Sequence, residues 1–338
     1  MHGKALATLA LAFTLTGAAQ AQDAESVLRD AASAPRHLSY AGQVESVEYG
    51  SANSHASIYR VEHRSPNLTR RWYLAPQALY GDSIITRATT SYDLDVRHHR
   101  IIVSNDDTLE DEVALDDNFA LLSSNYRIVP APAEEVAGRK TLGFMLINRH
   151  TGQMCMRVWI DKETHLVLER QAYASDGAVI SAMRYDQISY TSNLPAQFFN
   201  VPKEQGFATL RGMDHELPSN DIDAVARAAG FNAVGPKYLP EGFQPISGDV
   251  SEIKGVRSMH LLYSDGIRTL SLFENARGAT ADLSRFTVHQ TTVESHDARY
   301  VEDGPTLLMT WERSGLHFAL VGDLSRQEMT RIAESVTP

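Results

Sequence analysis

Between residues 154 and 190 apolar and polar side chains alternate almost one by one. Met156, Val158 and Ile160 are separated by Arg157 and Trp159, and Leu166 and Leu168 flank Val167 ahead of Glu169. A period of two places successive side chains on opposite faces of an extended chain, so these runs are predicted strands. Asp161 to Thr164 supply a polar turn, and Asp176-Gly177 accepts the positive φ angles of a tight hairpin before a third run. The product is an antiparallel meander with one apolar face.

The same alternation predicts strands over residues 40–49, 57–63, 69–74, 84–88, 90–96 and 100–103, broken by turn residues at 50–53, 65–67 and 81–82. Short strands with small gaps imply one large antiparallel sheet, resumed over 141–149. Residues 23–34 carry Val27, Leu28 and Ala31 on one helical face and end at Pro35, which reads as a short amphipathic helix. Asp116 or Asp117 is placed to cap a second helix bearing Phe119 and Leu122.

After residue 193 prolines at 195, 202, 218 and 236 replace the alternation, which marks a domain boundary. The predicted division is a leader over 1–21, a large domain over 22–200, a linker with a short helix over 201–232, and a smaller domain over 233–338. In the linker Asn220 or Asp221 caps a helix carrying Ile222, Val225, Ala226 and Ala229, ended by Gly230. The smaller domain shows a second Asp-Gly hairpin at Asp265-Gly266 and a last helix with Ser325 and Glu328 in capping-box spacing. It reads as an α+β unit with a sheet of three or four strands.

Composition then limits the setting. Lys4 precedes a small apolar stretch that closes on Ala19-Gln20-Ala21, the pattern of a cleaved secretory leader. Loss of that leader removes one lysine and no acid, taking the formal charge from -11 to -12. A surface this acidic argues against nucleic acid and against broad adhesion to anionic membranes. No other stretch is apolar enough to span a bilayer. Cys155 is the single cysteine, so no internal disulfide forms and the exported chain depends on its core. In mid-strand it reads as a small buried hydrophobe.

No sequence pattern supports catalysis. The chain has no Gly-x-Ser-x-Gly elbow, no His-Glu-x-x-His, no phosphate-binding glycine loop and no Cys/His metal spacing. The acids between 106 and 117 lack the spacing and the glycine of a calcium loop. His98-His99 would point to opposite faces of a strand, and Asp214-His215-Glu216 sits in the connector without an apolar frame. Neither a metal nor a cofactor is expected. Apolar same-face pairs remain: Trp72 and Leu74, Phe144 and Leu146, Val158 and Ile160, Leu166 and Leu168. They are either core under the helices or the lining of an acyl-sized concavity.

Several blocks resemble the RseB/MucB family of periplasmic regulators of the envelope-stress sigma factor sigma-E. They are Asn125-Tyr126-Arg127, Val136-Ala137-Gly138-Arg139, Val158-Trp159-Ile160-Asp161-Lys162-Glu163-Thr164, Ser175-Asp176-Gly177, Tyr238-Leu239-Pro240-Glu241-Gly242-Phe243, Tyr263-Ser264-Asp265-Gly266, Ser271-Leu272-Phe273, Val321-Gly322-Asp323-Leu324 and Arg331-Ile332-Ala333-Glu334. The resemblance implies an α+β fold: a LolA-like antiparallel half-barrel covered by short helices, with a smaller second domain. It implies a non-catalytic periplasmic protein that binds the periplasmic part of an anti-sigma factor, protects it from proteolysis and senses lipid or lipopolysaccharide fragments. Tyr263, Asp265 and Gly266 are the expected partner-binding residues. A lipid-binding or lipoprotein-carrier protein sharing only the large-domain fold is the alternative, and a secreted hydrolase has composition alone behind it.

Overall fold

A computed structural model describes residues 24–336 apart from 51–52, 89, 106–118, 192, 203–205, 215–218, 220, 231–233, 254–255, 277–282 and 285. The predicted leader, the 106–117 acids with the caps at Asp116 or Asp117, and His215-Glu216 therefore lie outside the described residues.

The first sheet is built from β1 (Tyr40–Tyr49), β2 (Ser54–Arg64), β3 (Leu68–Ala75), β4 (Ser83–Arg87), β5 (Thr90–Asp95), β6 (Arg100–Asn105), β7 (Tyr126–Ala131), β8 (Glu135–Val136), β9 (Arg139–Asn148), β10 (Met154–Asp161), β11 (Val167–Tyr173), β12 (Val179–Tyr190) and β13 (Ala208–Asp214). Its order is β13-β6-β5-β4-β3-β2-β1-β12-β11-β10-β9-β7, with β8 paired to β9, so β13 and β7 are edges and the sheet is open. Neighbours are antiparallel except β13, which adds parallel to β6. Residues expected to be linker thus extend the large sheet.

The smaller sheet has seven strands among the described residues: β14 (Gln244–Ile253), β15 (Val256–Ser264), β16 (Thr269–Ala276), β17 (His289–Val293), β18 (His296–Asp303), β19 (Thr306–Arg313) and β20 (Leu316–Gly322). The order is β14-β15-β16-β20-β19-β18-β17. The expected three or four strands are too few. β14 begins Gln-Pro and holds Gly248-Asp249, and β18 begins His-Asp-Ala-Arg, so neither looks like a strand by hydrophobic period.

The helices are α1 (24–33), α2 (Phe119–Asn125), α3 (Ile222–Ala229) and α4 (Arg326–Ser335). Asp221 caps α3 by accepting from Ala224 N at 2.9 Å, and Gly230 closes it at φ 85. Ser325 and Glu328 form the predicted capping pair of α4, whose Met329, Ile332 and Ala333 are buried in the smaller domain's core. No helix among the described residues is long and apolar enough to cross a membrane.

The fold is α+β, strand-rich and open, with a second sheet domain at its carboxy end. On the inner face of the large sheet, α1 and α2 cover one end: Ala24, Leu28, Phe119 and Leu122 pack on Phe144, Leu146, Val158 and Ile160. Burying these side chains provides roughly 1.5–3 kcal/mol each. The middle of the same face, over β1, β2, β11 and β12, is not covered by these helices.

Candidate functional site

That uncovered face and the smaller domain enclose a cleft of about 700 Å³. Cross-strand register explains which side chains reach it. Val44 pairs with Tyr59 and Tyr185, Val61 with Arg71, Arg170 with Met183, and Ala172 with Ser181, and every one of these lines the cleft. Opposed residues share a face, so one alternating set from five adjacent strands, β3, β2, β1, β12 and β11, forms the wall. The opposite wall comes from Thr269, Thr306, Leu307, Leu324, Arg326 and Glu328. Apolar, aromatic, cationic and anionic groups are all present, which suits an amphipathic occupant better than a purely apolar one.

Among the described residues, two hydrogen-bonded contacts between the domains flank the cleft. The first is buried. The β15–β16 hairpin carries Asp265, with no exposed surface, against the large domain. Its Oδ1 accepts from the N–H groups of Ile267 and Arg268 at 3.0 and 2.8 Å. Its Oδ2 accepts from Tyr126 Oη at 2.7 Å and from Arg268 Nε at 2.9 Å. Burial, followed by the Asp265 charge, drives the Tyr126 phenol far above its ordinary range, so it stays a donor. Asn125 Nδ2 donates to the carbonyls of Gly242 and Asp265 at 2.9 and 3.1 Å. Gly266 sits at φ 98, where a Cβ would lie 2.6 Å from Leu122 Cα, so the close approach of hairpin and α2 requires glycine. Ile267 completes the plug by packing into the cluster under α1 and α2.

The second contact lies at the exposed turns. Asn53 Nδ2 donates to Asp303 Oδ1 at 3.3 Å, His55 Nε2 meets the same oxygen at 2.6 Å, and Gly304 N donates to Asn53 Oδ1 at 3.2 Å.

None of the eight apolar residues picked from the sequence lines this cleft. Phe144, Leu146, Val158 and Ile160 are on its side of the sheet but lie under α1 and α2. Leu166 and Leu168 are core beside Tyr40, Val44, Val61 and Tyr185. Trp72 pairs with Arg60 and Ser83, so the pleat turns it away from the Val61 and Arg71 face, and Leu74 has the same parity along β3. Tyr263, buried in the smaller domain's core, and Asp265 and Gly266, buried at the interdomain contact, present no open surface in this arrangement. Sequence reasoning missed the mixed wall of Tyr59, Arg71, Arg170 and Tyr185. Its only signal was alternation of polar with apolar residues on the inner face, which looks like ordinary surface.

Asp161, read as the start of a polar turn, is fully buried. It accepts from Arg139 Nε and Tyr190 Oη, each at 2.8 Å, and from Glu163 N at 2.8 Å. Burial alone would raise its pKa, but these donors outweigh it and hold the carboxyl below the usual range. It is a structural hub behind the β10–β11 turn. Cys155 is half-buried at the cleft edge, and burial pushes its thiol up. His98 is a turn residue bound to Asp95 at 2.8 Å, and no group of described residues has the makings of a metal site.

The described residues thus form a cleft of mixed polarity between two sheet domains. Residues 23–203 match the model of the MucB/RseB N-terminal domain, and the chain belongs to that family. Residues 233–336 match a domain of unknown function, DUF4367. A crystal structure of MucB in complex with MucA(peri) is similar at 17% identity and a TM-score of 0.62, covering 94% of this chain and 99% of that one. The Pseudomonas aeruginosa MucA/MucB complex gives 17% and 0.63 over the same shares. MucB alone gives 16% and 0.57, covering 94% and 98%. No curated protein matches.

Proposed function

We propose that the protein is a non-catalytic periplasmic regulator that seats the periplasmic segment of an anti-sigma factor in the interdomain cleft and shields it from proteolysis. A lipid or lipopolysaccharide fragment entering the same cleft weakens that grip. The observation that carries the reading is a cleft walled by both domains, so an occupant and the domain arrangement are energetically linked. Family membership supports a regulatory binding role, and in two similar structures MucB is bound to MucA. The leader-like residues 1–21 support export.

The test uses the mature chain, an anti-sigma periplasmic domain and a site-one protease. The protein should bind the domain and delay its cleavage. Ala172→Trp fills the cleft from a half-buried position and should weaken binding about tenfold or more, as loss of one good contact does, while the melting temperature holds. No binding and no protection by the unaltered protein would sink the proposal. Retention of fluorescent lipid together with failed protection would favour the carrier alternative.

A further inference from the structure

Seven large apolar or tyrosine side chains are exposed among the described residues, and five of them fall on one rim of the large sheet: Tyr49, Leu79, Tyr80, Val96 and Val179. Register establishes the rim. Glu48 is opposite both His55 and Ser181, Trp72 is opposite Ser83, and Ser83 is opposite Leu94, so the adjoining turns all leave the sheet at the same end.

Three of the five gather on two neighbouring turns, 76–81 and 96–99. Leu79 is 37% exposed, Tyr80 58% and Val96 42%. The turns are tied together: Asp82 Oδ1 accepts from Val96 N at 2.8 Å, and a Cβ on Gly81 would touch Val96 Cγ2 at 3.9 Å. On a chain of net charge -11, the basic side chains of these turns are Arg97, His98 and His99, and neither turn contains an aspartate or glutamate. The flanking acids are engaged, Asp82 with Val96 N and Asp95 with His98 and Arg100.

We propose that this two-turn tip is a membrane-contact site: Leu79, Tyr80 and Val96 enter the interface of a phospholipid bilayer, and the Arg97 guanidinium meets headgroup phosphate. An aromatic, two aliphatic side chains and an arginine are the composition that a bilayer interface accepts. Three side chains fall far short of the roughly 800 Å² per partner that a stable protein interface needs, whereas a bilayer requires no matching shape. The acidic remainder of the surface opposes wholesale adhesion, which confines contact to the tip.

The experiment uses the mature chain in a Cys155→Ser background, with an environment-sensitive fluorophore on Gln77→Cys in the exposed turn, and mixed phosphatidylethanolamine and phosphatidylglycerol vesicles. Vesicles should shift the emission to the blue and carry the protein down on sedimentation. Replacing Leu79, Tyr80 and Val96 by serine should weaken partitioning by about tenfold for each side chain that is fully inserted, with an unchanged melting temperature. Arg97→Gln should weaken it about fivefold, near 1 kcal/mol of juxtamembrane charge. The cleft-filling Ala172→Trp should leave vesicle binding intact, which separates this site from lipid held in the cleft. Absence of vesicle binding, or binding indifferent to the triple serine variant, overturns the proposal. So does vesicle-independent dimerisation that the triple variant abolishes, which would assign the patch to a second copy.

Discussion

At the hairpin contact the Asp265 carboxylate is wholly buried and shared between Arg268, Tyr126 and two backbone N–H groups. At the rim contact His55 and Asp303 meet with 52% and 44% of their side chains exposed. Both link the same two domains, but water competes only at the second. A buried charge without its partners costs several kcal/mol, whereas an exposed pair is replaced by hydration at little cost. The hairpin joint is therefore the contact that costs more to break, and opening of the cleft is expected at the rim rather than at the hairpin.

The largest expected effect comes from breaking the joint. Asp265→Ala strands the Arg268 guanidinium and Tyr126 Oη and should cost about 3–5 kcal/mol in urea denaturation. The single transition should also split in two as the domains melt separately. An unchanged midpoint would show that the hairpin does not hold the domains together.

A comparable effect, on the order of 5 kcal/mol at most, separates the joint from the smaller domain's own stability. Glu274 is buried in that domain, where its carboxyl accepts from Val234 N at 3.1 Å, and burial pushes its pKa up to about 8. The unfolded chain releases this proton near the ordinary glutamate value, while the folded chain keeps it to about 8. Stability is thus highest below the unfolded value, falls as pH rises toward 8, and levels above it. Glu274→Gln should remove that slope and stabilise the protein at alkaline pH without splitting the transition. A pH profile identical to that of the unaltered chain would show that Glu274 does not ionise there.

The joint and the rim were unequally legible in the sequence. Asp265-Gly266 stood out as a hairpin dipeptide, yet its insertion against Leu122 depends on a domain arrangement that periodicity does not encode. The meander over 154–190 was readable because its alternation reports local geometry, and it became β10, β11 and β12. The same alternation does not tell a cleft lining from a core. Val158 and Ile160 look like a lining, but helices from elsewhere in the chain fill that part of the face. Arg71 and Arg170 look like surface because their period matches that of a solvated strand face, and only the smaller domain opposite turns them into a wall. Asp161 shows the same limit: a turn aspartate was expected, and Arg139 and Tyr190, distant in sequence, made it a buried hub.

The gentlest perturbation bears most directly on how the cleft opens. Asn53→Ala with His55→Ala removes both side chains that hold Asp303 and the acceptor used by Gly304 N. Exposed polar contacts of this kind contribute about 0–1 kcal/mol, so urea denaturation should barely register the change. An equilibrium between closed and open forms is more sensitive, because 1 kcal/mol multiplies the open population about fivefold. Cys155, half-buried at the cleft edge with its thiol pushed up by burial, reports on it through its labelling rate with a maleimide at fixed pH. The double variant should label up to about fivefold faster with a single cooperative melt, whereas Asp265→Ala should label faster still and lose that cooperativity. Equal rates in the double variant and the unaltered chain would mean that the rim is no closure, and that the domains part, if at all, only by breaking the hairpin.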